Sequence, residues 1–139
     1  MIGTYIAAVD PGKDKAGLAL VGADGRVVEQ LILAPAAVAA RLKAWQAAYP
    51  VEAIVLGDRT RSADFRRRLA DEGVTGPACP LVTVDEHFST QEARRRYLEA
   101  NPGRGLARWL PVSLRSPDRP VDDYVAVILA ERYLGRSAN

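Results

Sequence analysis

Three acids stand where chemistry could be done with them. Asp10 ends the apolar stretch Thr4-Tyr-Ile-Ala-Ala-Val9 and is followed by Pro11 and Gly12. Glu86 comes two residues after the β-branched run Leu81-Val-Thr-Val84, and Asp122 stands at the head of the long apolar run that reaches Leu134. Each acid therefore falls at the end of an expected element, and open α/β sheets place their ligands at the carboxyl ends of their strands. Clustered carboxylates repel one another and take up protons unless a cation compensates them. Hard oxygen donors of this kind suit Mg²⁺ or Mn²⁺. Two such ions, about 3.5 to 4 Å apart, can activate a water and stabilise the leaving oxygen of an in-line phosphoryl displacement. The chemistry implied is phosphodiester hydrolysis.

Each acid also has a plain structural reading. Asp10 can form a turn, Glu86 can help cap the next helix, and Asp122 in a first helical turn is worth about 0.3 to 1 kcal/mol against the helix dipole. What favours chemistry is that a sheet flanked by helices can bring all three ends to one edge. Asp122 lies on the same helical stripe as Ala126 and Leu129, whereas Asp123 lies above Val127 and Ala130, so helical geometry leaves Asp123 open as an alternative.

The elements that must position these acids follow from pattern. The run ending at Asp10 is apolar on both faces, as a central strand is. Pro11 and Gly12 turn the chain, and Ala16-Gly-Leu-Ala-Leu-Val21 and Arg26 to Leu33 form two further strands joined at Ala23-Asp-Gly25, an antiparallel meander. Pro35 suits a first helical turn, and Val38, Leu42 and Trp45 recur at helical spacing through Ala48. Trp45 on that stripe reads as core rather than as a base-stacking platform. A strand over Glu52–Gly57 leads through Asp58-Arg-Thr60 to a helix from Ser62 to Glu72, with Ser62 as its cap. Ser89 with Glu92 is a capping-box pattern opening a helix to Ala100, which Asn101-Pro-Gly103 ends. Between 101 and 120 no periodicity survives; Arg104, Arg108, Arg115 and Arg119 along that stretch suit either a substrate-gripping loop or a merely solvated one. The last helix, Val121 to Leu134, is apolar on every side through its middle, as a helix packed onto a sheet is.

Composition sets the frame. A chain of 139 residues with 48% apolar content is the size of one domain, spanning 1–139. A formal charge of +2 does not by itself announce a nucleic-acid binder, but Arg66-Arg-Arg68 and Arg94-Arg-Arg96 concentrate positive charge on two expected helices, which serve either as solvated faces or as a phosphate track. The single Cys79 forms no internal disulfide, and no Cys/His cluster offers a zinc site. Neither a signal core nor an apolar run of about 20 residues is present, so a cytoplasmic protein with no membrane association is expected.

These motifs, in order, resemble the YqgF/RuvX family. Ala8-Val-Asp-Pro-Gly12 with Gly17-Leu-Ala19 is similar to its opening DxG…GxA pattern, Asp85 to Arg94 to its DER-[LF]-[ST]-T-x-EA signature, and Val121-Asp122 with Ala126 to Leu129 and Tyr133-Leu134 to its closing helix. The resemblance implies an RNase H-like α/β fold: a mixed five-stranded sheet, three antiparallel strands then two parallel, with helices on both faces. It implies a hydrolase, a divalent-metal nuclease of structured nucleic acid that matures the 5′ end of the small-subunit ribosomal RNA precursor or resolves Holliday junctions. By position, Asp10, Glu86 and Asp122 become its catalytic and metal-binding acids, with Mg²⁺ or Mn²⁺ bound as two ions. Lys13, Lys15, Arg59, His87 and Arg94 become the substrate-binding candidates, Lys13 and Lys15 as point charges beside Asp10. Partners would be structured RNA or branched DNA and ribosomal precursor particles, with the chain a monomer or homodimer.

Two departures stand out. Where the family continues its fourth strand with Gly-Leu-Pro, this chain has Leu56-Gly-Asp-Arg-Thr60, which adds Asp58 either as an extra metal or water ligand or as a turn former and ion-pair partner of Arg59. The family's Arg after the Asp-Glu pair is here His87, the only histidine, available for proton transfer, phosphate contact or a surface role. Two other classes compete: an ATP-binding phosphotransferase domain, which shares the opening turn but needs a second domain, and a non-catalytic nucleic-acid-binding or ribosome-assembly module.

Overall fold

In the computed structural model, residues 3–59, 61–102, 109–111, 117 and 119–135 are described. Three strands come first: β1 (Tyr5–Asp10), β2 (Ala16–Gly22) and β3 (Val27–Leu33). A 3₁₀ turn at Pro35–Ala37 leads into α1 (Val38–Ala48), then β4 (Val51–Gly57) and α2 (Ser62–Asp71). β5 (Leu81–Val84), α3 (Ser89–Ala100) and α4 (Asp122–Tyr133) complete the order. The strands form one mixed sheet in the order β3-β2-β1-β4-β5. β1 pairs antiparallel with β2 and β2 with β3, whereas β4 runs parallel to β1 and β5 parallel to β4. This is the expected arrangement of three antiparallel strands followed by two parallel ones.

Alternation along the central strands divides the core in two. Ile6, Ala8, Ala19, Val21, Ala53 and Val55 face α3 and α4. Ala7, Val9, Leu18, Leu20, Ile54 and Leu56 face Val38, Leu42 and Trp45 of α1 and Phe65 and Leu69 of α2. A strand buried on both faces has no polar positions, which is why β1, β2 and β4 read as continuous apolar runs. Trp45 is 3% exposed and its indole N–H donates to Glu29 Oε1 at 2.9 Å, so it is core, as expected.

α4 touches all five strands. Its first turn lies against β2 and β3, where Gln30 Nε2 donates to Asp123 Oδ2 at 2.9 Å, and near its other end Arg132 Nη1 donates to the Asp85 carbonyl at 2.7 Å. A helix of about twelve residues is roughly 18 Å long, enough to cross several strands spaced about 4.8 Å apart. Arg96 ties α3 to it, donating to both Glu131 oxygens at 2.7 and 2.9 Å.

The helix starts differ from expectation. α3 begins at Ser89, but its cap residue is Phe88, held at φ 60°, and no side chain caps the helix. Ser89 Oγ is buried without a partner and Glu92 is engaged by Arg95 and Arg96, so the capping box does not form. The reason is the tight turn after β5, in which Ser89 N donates to the Glu86 carbonyl at 2.9 Å and places Ser89 inside the first turn. At α2, likewise, Arg61 rather than Ser62 precedes the helix, again without a side-chain cap. Arg66, Arg67 and Arg68 are exposed on α2, with the Arg68 guanidinium 5.8 Å from the Phe65 ring centroid. Of the arginines expected along residues 101–120, Arg104, Arg108 and Arg115 lie outside the described residues, while Arg119 ion-pairs with Asp123 at 3.1 Å.

Candidate carboxylate site at the sheet edge

β1 alternates, so Ile6, Ala8 and Asp10 share the face covered by α3 and α4. Asp10 is the last residue of the strand, is paired with Gly17 of β2, and lies one step beyond the pairing of Val9 with Leu56, beside Gly57 of β4. A glycine thus flanks the carboxylate on either side, and each makes room for another acid. A Cβ on Gly57 would lie 2.3 Å from the carboxyl carbon and Oε2 of Glu86. One on Gly17 would lie 1.8 Å from the Asp122 carbonyl oxygen. Glu86 therefore lies over the end of β4, and the first turn of α4 rests directly on β2.

Glu86 is 2% exposed and reaches hydrogen-bonding range of Asp10, which is 6% exposed. The residues after β4 hold it there. Arg59 N donates to Oε2 at 3.0 Å, Arg59 Nε stands 3.4 Å from Oε1, and Glu86 N donates to Asp58 Oδ1 at 3.2 Å. Oε1 itself is buried with no hydrogen-bond partner. Burial, the contact with Glu86 and the charges of Glu86 and Asp122 together push the Asp10 pKa up to about 9, against a weaker downward pull from Arg59. Asp122 is half-buried; burial raises its pKa too, opposed by the Lys15 ammonium and reinforced by Asp123.

The three acids expected to share a site are therefore not equivalent. Asp10 and Glu86 are in contact, and Asp122 stands at the rim, near enough for Asp10 to feel its charge. Among the described residues no three His, Cys, Asp or Glu side chains are drawn tightly enough together to chelate one ion. Asp123, the alternative to Asp122, is 4% exposed and turned toward β3, where Gln30 and Arg119 satisfy it. Asp58 serves as a backbone clamp, and its expected ion pair with Arg59 is replaced by the pair of Arg59 with Glu86.

The donor set suits a hard divalent cation. Two buried acids face each other, one Glu86 oxygen has no hydrogen-bond partner, and Mg²⁺ is commonly held by one or two carboxylates with substrate phosphates and waters completing its shell. Asp10 and Glu86 would hold it.

Of the other candidates, Lys15 is exposed and near Asp122, and Lys13 is exposed beside the turn that follows β1. His87 is exposed, its ring 3.9 Å from that of Phe88, and its backbone N–H donates to Asp85 Oδ1 at 2.9 Å. Arg94 is exposed on α3, away from the Glu92, Arg95, Arg96 and Glu99 pairs. Arg59 bridges to α3 by donating from Nη2 to Thr90 Oγ1 at 3.0 Å. Sequence reasoning missed the clamp formed by residues 57–59. Its signal was the isolated glycine at a strand end, which marks a close approach by another group.

No family model matches the chain and no curated protein matches it in sequence. Solved structures do. The Thermus thermophilus RuvC structure superposes with a TM-score of 0.56 over 97% of each chain at 12% identity. A ROK family transcriptional regulator, a homologue of the E. coli MLC protein, matches with a TM-score of 0.41 at 14% identity, over 68% of this chain and 31% of that one, too loosely to support any argument. The chain therefore has the RuvC fold, an RNase H-like α/β architecture.

Proposed function

We propose that this chain is a hydrolase, a divalent-metal-dependent nuclease acting on structured nucleic acid, with Asp10 and Glu86 as the principal metal-binding pair and Asp122 as the third carboxylate. The observation that carries the reading is the contact of two buried acids at the carboxyl end of the central strand, with one Glu86 oxygen left without a hydrogen-bond partner. The likeness of the whole chain to RuvC supports it. When bound, Mg²⁺ or Mn²⁺, as one or two ions, would supply Lewis acidity toward a phosphodiester and lower the pKa of an attacking water.

The chain's own residues do the rest. Asp10 and Glu86 fix where the cation sits, Gly57 and the Asp58-Arg59 clamp hold the Glu86 carboxylate in place, and burial excludes bulk water from the pair. Asp122 at the rim is placed to accept a proton or complete a shell shared with substrate. Lys15, Lys13, Arg59, His87 and Arg94 are the candidate phosphate contacts.

For substrate, the sequence motifs favour the 5′ end of the small-subunit ribosomal RNA precursor, with ribosomal precursor particles as partners in the cytoplasm. The RuvC likeness favours a branched DNA junction at least as strongly. Among the described residues no helix is long and apolar enough to cross a membrane. A side-by-side cleavage assay separates the readings: precursor ribosomal RNA, single-stranded RNA and a four-way DNA junction, each with Mg²⁺ and with Mn²⁺. Metal-dependent cutting of either structured substrate, lost in Asp10→Asn, supports the nuclease. Metal-independent binding with no cutting of any substrate would replace it with a non-catalytic binding module. A solution mass bears on the choice, because symmetric cutting of a junction calls for a dimer.

A further inference from the structure

Arg59 sits in a position that the cation reading does not explain. It follows β4, its side chain is half-exposed, and it is anchored from two directions: its backbone N–H holds Glu86 Oε2 at 3.0 Å and its Nη2 holds Thr90 Oγ1 at 3.0 Å on α3. That anchoring suspends the guanidinium beside the carboxylate pair, with Nε 3.4 Å from Glu86 Oε1, the oxygen that has no hydrogen-bond partner. Its charge reaches both Asp10 and Asp122. A guanidinium cannot be deprotonated in a protein, so this positive charge is permanent.

We propose that Arg59 is the internal counter-cation of the carboxylate site, a positioning residue that competes with the divalent ion for Glu86 and so weakens cation binding in the absence of nucleic acid. The proposal rests on the reading of Asp10 and Glu86 as a cation site. Two positive charges next to one carboxylate oxygen repel each other, and at a partly exposed surface such a repulsion changes an equilibrium by about tenfold. The same half-exposed guanidinium has donors to spare for a phosphate oxygen, in the fork geometry that suits it. Holding the ion loosely until a phosphodiester shares the guanidinium couples cation binding to substrate binding, so each tightens the other.

The test uses Mn²⁺ alone as the probe, titrated into the full chain by calorimetry and by the electron paramagnetic resonance of free Mn²⁺. Arg59→Gln retains the backbone donor to Glu86 and removes the charge together with the Nη2 contact to Thr90 Oγ1; it should bind Mn²⁺ about tenfold more tightly than wild type. Arg59→Lys retains the charge and should return affinity to the wild-type value. Adding a non-cleavable phosphodiester duplex should tighten Mn²⁺ binding in wild type and have less effect in Arg59→Gln. Equal or weaker Mn²⁺ binding in Arg59→Gln overturns the proposal while leaving the cation site intact, as does an Arg59→Lys variant that behaves like Arg59→Gln. No Mn²⁺ binding by any of the three proteins overturns the cation reading itself and the role of Arg59 with it.

Discussion

Replacing Gly57 with alanine should dislodge Glu86 without altering the chemistry of the glutamate. The added methyl would lie 2.3 Å from its carboxyl carbon and Oε2 and 2.7 Å from its Cγ. Carbon atoms pack at about 3.5 to 4.0 Å, so the shortfall exceeds about 1 Å and the side chain must rotate away. It gives up the hydrogen bond from Arg59 N at 3.0 Å and the ion pair at 3.4 Å, but it escapes burial beside Asp10. Alanine also suits a strand better than glycine by about 0.5 to 1 kcal/mol. These contributions oppose one another, and the net change in stability should stay within about 1 kcal/mol. Gly17→Ala is the contrast. There the methyl meets backbone, the Asp122 carbonyl oxygen at 1.8 Å, its carbon at 2.2 Å and Asp123 N at 2.8 Å, and no rotamer relieves it. The first turn of α4 must lift off β2, at a cost of about 1 to 3 kcal/mol or more. Urea denaturation reads the stabilities, and Mn²⁺ titration with nuclease assay reads the site. Gly57→Ala should unfold near the wild-type midpoint yet lose Mn²⁺ binding and cleavage, whereas Gly17→Ala should lose stability. A Gly57→Ala protein with full Mn²⁺ affinity would refute the placement of Glu86 over β4. One as unstable as Gly17→Ala would show that the crowding is not confined to a movable side chain.

Other outcomes follow from the same geometry. Asp10→Asn and Glu86→Gln should each abolish Mn²⁺-dependent cleavage while raising metal-free stability, because neither variant buries two ionisable carboxyls together and so neither bears the cost of protonating one of them; undiminished cleavage in both variants would end the assignment. With the Asp10 pKa raised from 3.8 to about 9, the folded protein retains a proton that the unfolded chain releases above about pH 4, so the stability this group contributes to the metal-free protein is fully present below that point and is lost as pH rises to about 9. The slope should approach at most about 1.4 kcal/mol per pH unit and shrink in saturating Mn²⁺; thermal melts at pH 5, 7 and 9 that are flat without metal would contradict this. Arg96→Ala, which unties α3 from Glu131 of α4, should cost about 1 to 2 kcal/mol in urea unfolding, more than an exposed pair such as Arg61 with Asp64 would. Binding of a stem-containing RNA or a DNA junction should weaken steeply with added salt if Lys15, Arg59 and Arg94 contact phosphates, and a flat dependence would remove them from the interface.

The amino-acid sequence by itself determined the order and identity of the strands and helices and the position of the acids at element ends. These are local properties: the doubly apolar strands β1, β2 and β4, the helical spacing of Val38, Leu42 and Trp45, and the breakers at Pro11-Gly12 and Asn101-Pro102 act within a few residues of themselves. Even the partnership of Asp10 and Glu86 was legible, through motifs spanning the chain. What only the tertiary structure decided is which side chains meet and how closely. Asp122 and Asp123 are adjacent on one helix and equivalent to any periodicity argument; the packing of α4 on Gly17 sends Asp122 to the rim beside Lys15 and buries Asp123 against Gln30 and Arg119. Ser89 has the sequence of a helix cap, yet the turn from Glu86 places it inside the helix. Arg59 looked like a partner for its neighbour Asp58 and instead reaches Glu86, 27 residues away. Strand register and the gaps left by two glycines set these distances, and they arise from contacts between parts of the chain that carry no information about one another until the sheet has formed.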